Sequence, residues 1–162
     1  MPELQRTPER FSTGEYQRRL RQTRAEMDAR GLSALIVSDM SNMAWLAGYG
    51  GWSFYVHQCV IIGPDGPPVW FGRGQDGAGA LRTVWMTPDH IVGYPDNYVQ
   101  STERHPMEFL CNVLTERGWH KGRIGVEMDN YWYSARAHER IVTGLPNATL
   151  VDATNLVNWQ RA

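Results

Sequence analysis

The residues best suited to chemistry in this chain are crowded between Asn42 and Gln58, in the run NMAWLAGYGGWSFYVHQ. Trp45, Tyr49, Trp52, Phe54 and Tyr55 offer flat apolar faces, while Gly48, Gly50 and Gly51 let the backbone turn tightly or approach a ligand. His57 and Gln58 close the run with polar groups. Such aromatic faces hold an organic cation at about 0.5–2 kcal/mol each once water is excluded. Arg73 adds a planar fork suited to a carboxylate, and it stands close enough to Asp76 for the two to pair across a turn instead. The segment reads as a binding surface, with Trp52, Tyr55 and His57 as its leading candidate substrate-binding residues and Arg73 as a further candidate that could equally be held by Asp76. Strand alternation would put Tyr55 and His57 on the ligand side and Phe54 and Val56 toward the core.

A catalytic set is harder to find. The sequence holds no GxGxxG after a strand, no GxxxxGK[ST], no GxSxG and no HExxH. The glycines of Gly72-Arg-Gly74 and Gly77-Ala-Gly79 form no recognised phosphate loop. His105 and Glu108 stand three apart, a metal-ligand spacing on a helix, but Pro106 makes His105 better suited to cap that helix. Glu127 and Asp129 are carboxylates at strand spacing, expected to cap or to contact solvent. No catalytic residue, metal ligand or cofactor is expected within these residues.

Alternating helices and strands must position the aromatic segment. Ser12-Thr-Gly-Glu15 has a capping-box pattern, and Tyr16, Leu20 and Met27 follow near helical spacing, so a helix is predicted over Thr13 to Arg30, stopped by Gly31. Ala34 to Val37 is a short, wholly apolar strand, buried on both faces. Phe54 to Ile62 reads as a longer strand, turned by Gly63-Pro-Asp-Gly-Pro-Pro68 into an antiparallel partner from Val69 to Phe71. Strands at Ile91-Val92, Arg123 to Glu127 and Thr149 to Asp152 alternate with helices from Pro106 to Gly118, from Ser134 to Leu145 and from Asn155 to Arg161. This order predicts a three-layer α/β domain with helices on both faces of a mixed sheet.

With 162 residues and 42% hydrophobic content, the chain suits one domain with a real core. A net charge of −1 with interspersed signs provides no field for a phosphate backbone, so no nucleic-acid partner is expected. The seven arginines of the first 30 residues are interrupted by Glu3, Glu9, Glu15, Glu26 and Asp28, the pattern of a solvated helix face. No apolar run is long enough to span a membrane, and Met1 to Phe11 lacks the apolar core of a signal peptide, so a cytoplasmic protein without a membrane partner is expected. Cys59 and Cys111 lie in apolar contexts and read as reduced core thiols. Leu156, Val157 and Trp159 keep the last segment apolar, which suggests further protein to pack against.

At Ser41-Asn42, Trp52-Ser-Phe-Tyr55 and Ile124-Gly-Val-Glu127 the chain resembles the amino-terminal domain of the creatinase/prolidase, or pita-bread, hydrolases. The resemblance runs from Phe11-Ser12 through Leu145-Pro146 to the Leu156 to Arg161 helix. It implies a ribonuclease H-like fold over 1–162, without catalytic residues of its own, that covers an active site and takes part in a homodimer. It assigns metal ligands or a catalytic histidine, and with them any divalent metal, to a carboxy-terminal catalytic domain that these residues do not include. Within the family, Gly51 to Gln58, Trp70 to Asp76 and Tyr98 to His105 look closest to the ectoine hydrolase branch, which implies a small zwitterionic substrate with a cyclic amidine C–N bond. The resemblance also adds Phe54 to the candidate substrate-binding residues, since the family places an aromatic there: creatinase matches at Ser53-Phe54 but departs at Val56, where it has a carboxylate-holding arginine. An Xaa-Pro dipeptidase domain and a free-standing binding or dimerisation module are the alternatives.

Overall fold

The computed structural model describes residues 10–162. Glu3 and Glu9, and most of the segment considered above as a signal peptide, lie outside the described residues. Helix α1 (Thr13–Ala29) begins where the Ser12 hydroxyl accepts the Glu15 amide at 3.2 Å and stops before Gly31, whose φ of 66° only glycine adopts freely. The Glu15 carboxylate turns to Arg18 (2.8 Å) and Arg19 (2.9 Å). Tyr16, Leu20 and Met27 are buried, as their spacing predicts. Arg19 departs from the expected solvated face. It is buried beneath Phe11 and Trp45, with its guanidinium 4.2 and 5.0 Å from their ring centres, and it donates to the Trp45 carbonyl. Desolvated guanidinium groups are tolerated when ring faces and a carboxylate satisfy them.

Strands β1 (Ala34–Val37), β2 (Cys59–Ile62), β3 (Val69–Arg73), β4 (Ile91–Tyr94), β5 (Gly122–Val126) and β6 (Ala148–Asp152) form one sheet in the order β4-β3-β2-β1-β5-β6. Strand β2 is antiparallel to both β1 and β3, while β3–β4, β1–β5 and β5–β6 pair in parallel, so β2 alone runs against the other five. Alternation sorts the side chains cleanly. Leu35, Val37, Val60, Ile62 and Trp70 face one core, and Ala34, Ile36, Cys59, Ile61, Val69 and Phe71 face the other. The first core is covered by α1, α2 (Met40–Ala47), α3 (Gly74–Thr83) and α6 (Thr154–Arg161), the second by α4 (Pro106–Glu116) and α5 (Ala135–Gly144). The domain is therefore the expected three-layer α/β/α arrangement around a mixed sheet. Cys59 and Cys111 are free and buried in the second core, where desolvation pushes both thiols above their usual range.

Three elements differ from the sequence reading. The run predicted as a strand from Phe54 becomes regular only at Cys59, because residues 54–58 bend over the sheet edge. Helix α2 was not predicted, although Asp39 caps it by accepting the Asn42 amide at 2.9 Å and Gly48 ends it with a φ of 77°. Trp45 accordingly belongs to a helix and not to a ligand loop. Helix α3 was hidden by its glycines, which disfavour helices by about 1 kcal/mol each. Its Gly77 and buried Ala80 lie on the packed side, and a Cβ at Gly77 would stand 3.8 Å from the Trp70 ring.

Candidate functional site

Because β2 runs backwards, the segment that enters it meets the carboxyl ends of the other strands, the edge where α/β sheets ordinarily take ligands. The segment is tethered there at several points. Tyr94 at the end of β4 donates its hydroxyl to the His57 carbonyl at 2.7 Å, and Trp132 donates its indole N–H to the Ser53 carbonyl at 3.1 Å. Tyr49, buried against Trp70, donates to the Gln58 amide oxygen at 2.9 Å, so Tyr49 and Gln58 hold the segment and do not face a ligand. Gly51 crosses directly over Tyr49, and a Cβ on it would lie 2.5 Å from the phenol oxygen.

Between these tethers the aromatic side chains stand outward. Trp52 and Phe54 pack edge to face with ring centres 4.0 Å apart, and Phe54 is 83% exposed. Alternation would have sent Phe54 inward with Val56, but only Val56 is buried, because the backbone here is not a strand. Tyr55 and His57 do come together. Both line a cavity of about 210 Å³ with Tyr94, Gln100, Ser101, Arg104 and His105. The volume lies below the ~300–1,000 Å³ of pockets for drug-sized ligands and suits a small metabolite.

His105 packs against His57 with ring centres 4.7 Å apart, and both rings line this cavity. It also caps α4: its Nδ1 accepts the Met107 amide at 3.1 Å, while Glu108 accepts the His105 amide in return at 3.4 Å. Glu108 is engaged further by Arg140 at 3.1 Å, so the His105/Glu108 spacing serves a cap and an ion pair. Burial, followed by the positive fields of His57, Arg140 and Arg136, lowers the His105 pKa to about 4. Burial also lowers that of His57. Both rings are therefore neutral near pH 7. Gln100 at the rim has a φ of 50°, the one positive value outside glycine among the described residues.

Arg73 is placed differently from the expectation. Its fork is occupied by Asp96 at 2.8 and 3.1 Å, not by Asp76, and it does not line the cavity. The ion pair holds the Asp96 carboxyl below its usual range and raises the arginine further. Among the described residues no group of three or more His, Cys, Asp or Glu side chains could hold a metal ion, and no helix is long and apolar enough to cross a membrane.

A second polar centre at the same edge escaped the sequence reading. Glu127 follows β5 and is 2% exposed, against the expectation of solvent contact. One oxygen accepts the Ser38 and Asp39 amides at 2.5 and 2.8 Å, and the other accepts the Asn42 amide group at 2.6 Å. Asn42 also reaches Asn158 of α6 at 2.8 Å. Burial raises the Glu127 pKa to about 7 against the pull of its three donors. The carboxylate joins β1, α2, β5 and, through Asn42, α6.

This fold, with its buried carboxylate and edge loop, is that of the creatinase/prolidase N-terminal domain, whose family pattern matches residues 19–162, and the chain belongs to that family. It is 56% identical to an ectoine hydrolase of Halomonas elongata over 153 residues, 94% of this chain and 38% of that protein. An uncharacterised hydrolase/peptidase of Sinorhizobium fredii is 38% identical over 152 residues, 93% of this chain and 39% of its own length. The chain thus spans less than half the length of these curated relatives. Among solved structures, a proline dipeptidase from Streptococcus pneumoniae superposes with a TM-score of 0.70 at 20% identity, covering 88% of this chain and 96% of that one. An Xaa-Pro dipeptidase from Bacillus anthracis gives 0.70 at 14% identity, covering 90% of this chain and 36% of that one. Both describe the fold.

Proposed function

We propose that this chain is the non-catalytic N-terminal domain of a cytoplasmic, homodimeric hydrolase that opens the cyclic amidine of ectoine or a close analogue, with a downstream domain supplying the reacting groups and any metal. The observation that carries this reading is the 56% identity to ectoine hydrolase across 94% of the chain. The edge loop is compatible with it. Trp52, Phe54 and Tyr55 present exposed aromatic surface suited to a delocalised cation, and Tyr55 and His57 line a cavity of small-metabolite size. Arg73 is paired with Asp96 and stands outside this cavity, so the reading does not draw on it.

The test is to express the complete reading frame containing this chain and to assay ectoine ring opening beside hydrolysis of an Xaa-Pro dipeptide. Ring opening without dipeptide turnover is expected. Dipeptide turnover without ring opening would replace the reading with the dipeptidase one. A small-molecule binding protein without turnover would leave only a binding module.

A further inference from the structure

The cavity between His57 and the Ser101 to His105 turn carries donors that the protein itself leaves unused. The Ser101 hydroxyl oxygen accepts the amides of Glu103 and Arg104 at 3.1 and 3.0 Å, so its own hydrogen is free to donate. His105 accepts a backbone amide at Nδ1, and in its neutral form it must carry its hydrogen at Nε2, where no group among the described residues accepts it. The Arg104 guanidinium is half-exposed and only 3.9 Å from Glu103, whose carboxylate is 81% exposed to solvent. Glu108, the other acid nearby, is committed to the α4 cap and to Arg140. Positive charge from Arg136 and Arg140 also reaches His105 from α5. The cavity therefore offers N–H and O–H donors, with Glu108 committed to α4 and Arg140 and with Glu103 paired to Arg104 only loosely, in solvent.

We propose that this cavity is a carboxylate subsite, in which Ser101, Arg104 and the Nε2–H of His105 bind the carboxylate of a small substrate while Tyr55 and His57 complete its lining. The inference rests on the reading of this edge as substrate-facing, and it assigns the recognition of negative charge to the turn before α4, leaving the cation to the aromatic loop. Arginine, hydroxyl and imidazole donors match a carboxylate better than they match a neutral amide, because hydrogen bonds to an ionised acceptor are about twice as strong.

The experiment is a titration of the protein with three probes, propionate, ectoine, and the methyl-tetrahydropyrimidine that lacks the carboxylate of ectoine, followed by the imidazole and arginine side-chain resonances. Propionate and ectoine are expected to move the His105 and Arg104 signals, and the decarboxylated amidine is expected not to. Arg104→Gln should weaken both carboxylates about tenfold, and His105→Asn, which preserves an N-cap, should weaken them without unfolding α4. Propionate binding without ectoine binding would keep the carboxylate subsite and sink the ectoine reading. Unmoved resonances with both carboxylates, or equal response to the decarboxylated amidine, would overturn the subsite itself.

Discussion

Glu127 and the His57–His105 cavity occupy the same carboxyl edge of one sheet and are built in opposite ways. Around Glu127 three donors from β1 and α2 close on a buried carboxylate, and the centre is complete without a ligand. Around His57 and His105 the His57 carbonyl and the His105 amide are satisfied, while the Ser101 hydroxyl hydrogen and the His105 Nε2–H meet no acceptor among the described residues. A buried polar group with internal partners holds elements together, whereas a half-buried group whose backbone is pinned and whose side chain is free is prepared for something outside the fold. Polarity at a sheet edge is thus not itself a sign of a site; the sign is where the hydrogen bonds go.

The sharpest way to break this comparison is Glu127→Ala. It strands the Ser38, Asp39 and Asn42 donors in the core and is expected to destabilise the domain by about 3–5 kcal/mol, read by denaturant unfolding. A loss of under ~1 kcal/mol would mean the junction is peripheral. The pH dependence sharpens it further, since the two centres titrate in opposite senses. The Glu127 pKa is raised from 4.5 to about 7, so its contribution is fully present below 4.5 and is lost as pH rises through 7, at no more than about 1.4 kcal/mol per unit. The His105 pKa is depressed from 6.5 to about 4, so its contribution is present above 6.5 and lost as pH falls through 4. Glu127→Gln should therefore make stability climb more steeply with pH between about 5 and 7 than in the parent. Parallel curves would show that the three donors already keep Glu127 ionised.

Gly51→Ala places a methyl group against the Tyr49 phenol and should cost about 1–3 kcal/mol, with the aromatic loop displaced, visible as a change in tryptophan emission. An unchanged spectrum and stability would mean that the loop is not seated on Tyr49. Phe54→Ala should change stability by less than about 0.5 kcal/mol, since the ring is 83% exposed, while lowering turnover of ectoine by the full-length enzyme. If both stay unchanged, the aromatic loop has no part in substrate binding.

How much of this was legible in the sequence follows the range of the interactions involved. Strand β1, the turn between β2 and β3, and the caps at Ser12 and His105 were readable because their signals are local. Helix α3 was not, because packing of Gly77 and Ala80 on the sheet overrides a composition that argues against a helix. The aromatic loop was recognised, but its geometry was mistaken, since alternation holds only within a strand and the strand begins at Cys59. The commitment of Arg73 to Asp96, the approach of His105 to His57 and the burial of Glu127 depend on neighbours distant in sequence. A carboxylate at a strand end reads as solvated until the strand beside it is known.

The reversed direction of β2 has a consequence for how such domains diverge. Its register is fixed on both sides by β1 and β3, so the strand stays in place whatever precedes it. The exposed stretch from Trp52 to Tyr55, between the tethers at Tyr49 and Gln58, can then be rewritten while the sheet beneath it keeps its pairing. A single inverted strand turns one connection into a replaceable part, so that new substrate preferences can arise by exchange of a loop with the scaffold conserved.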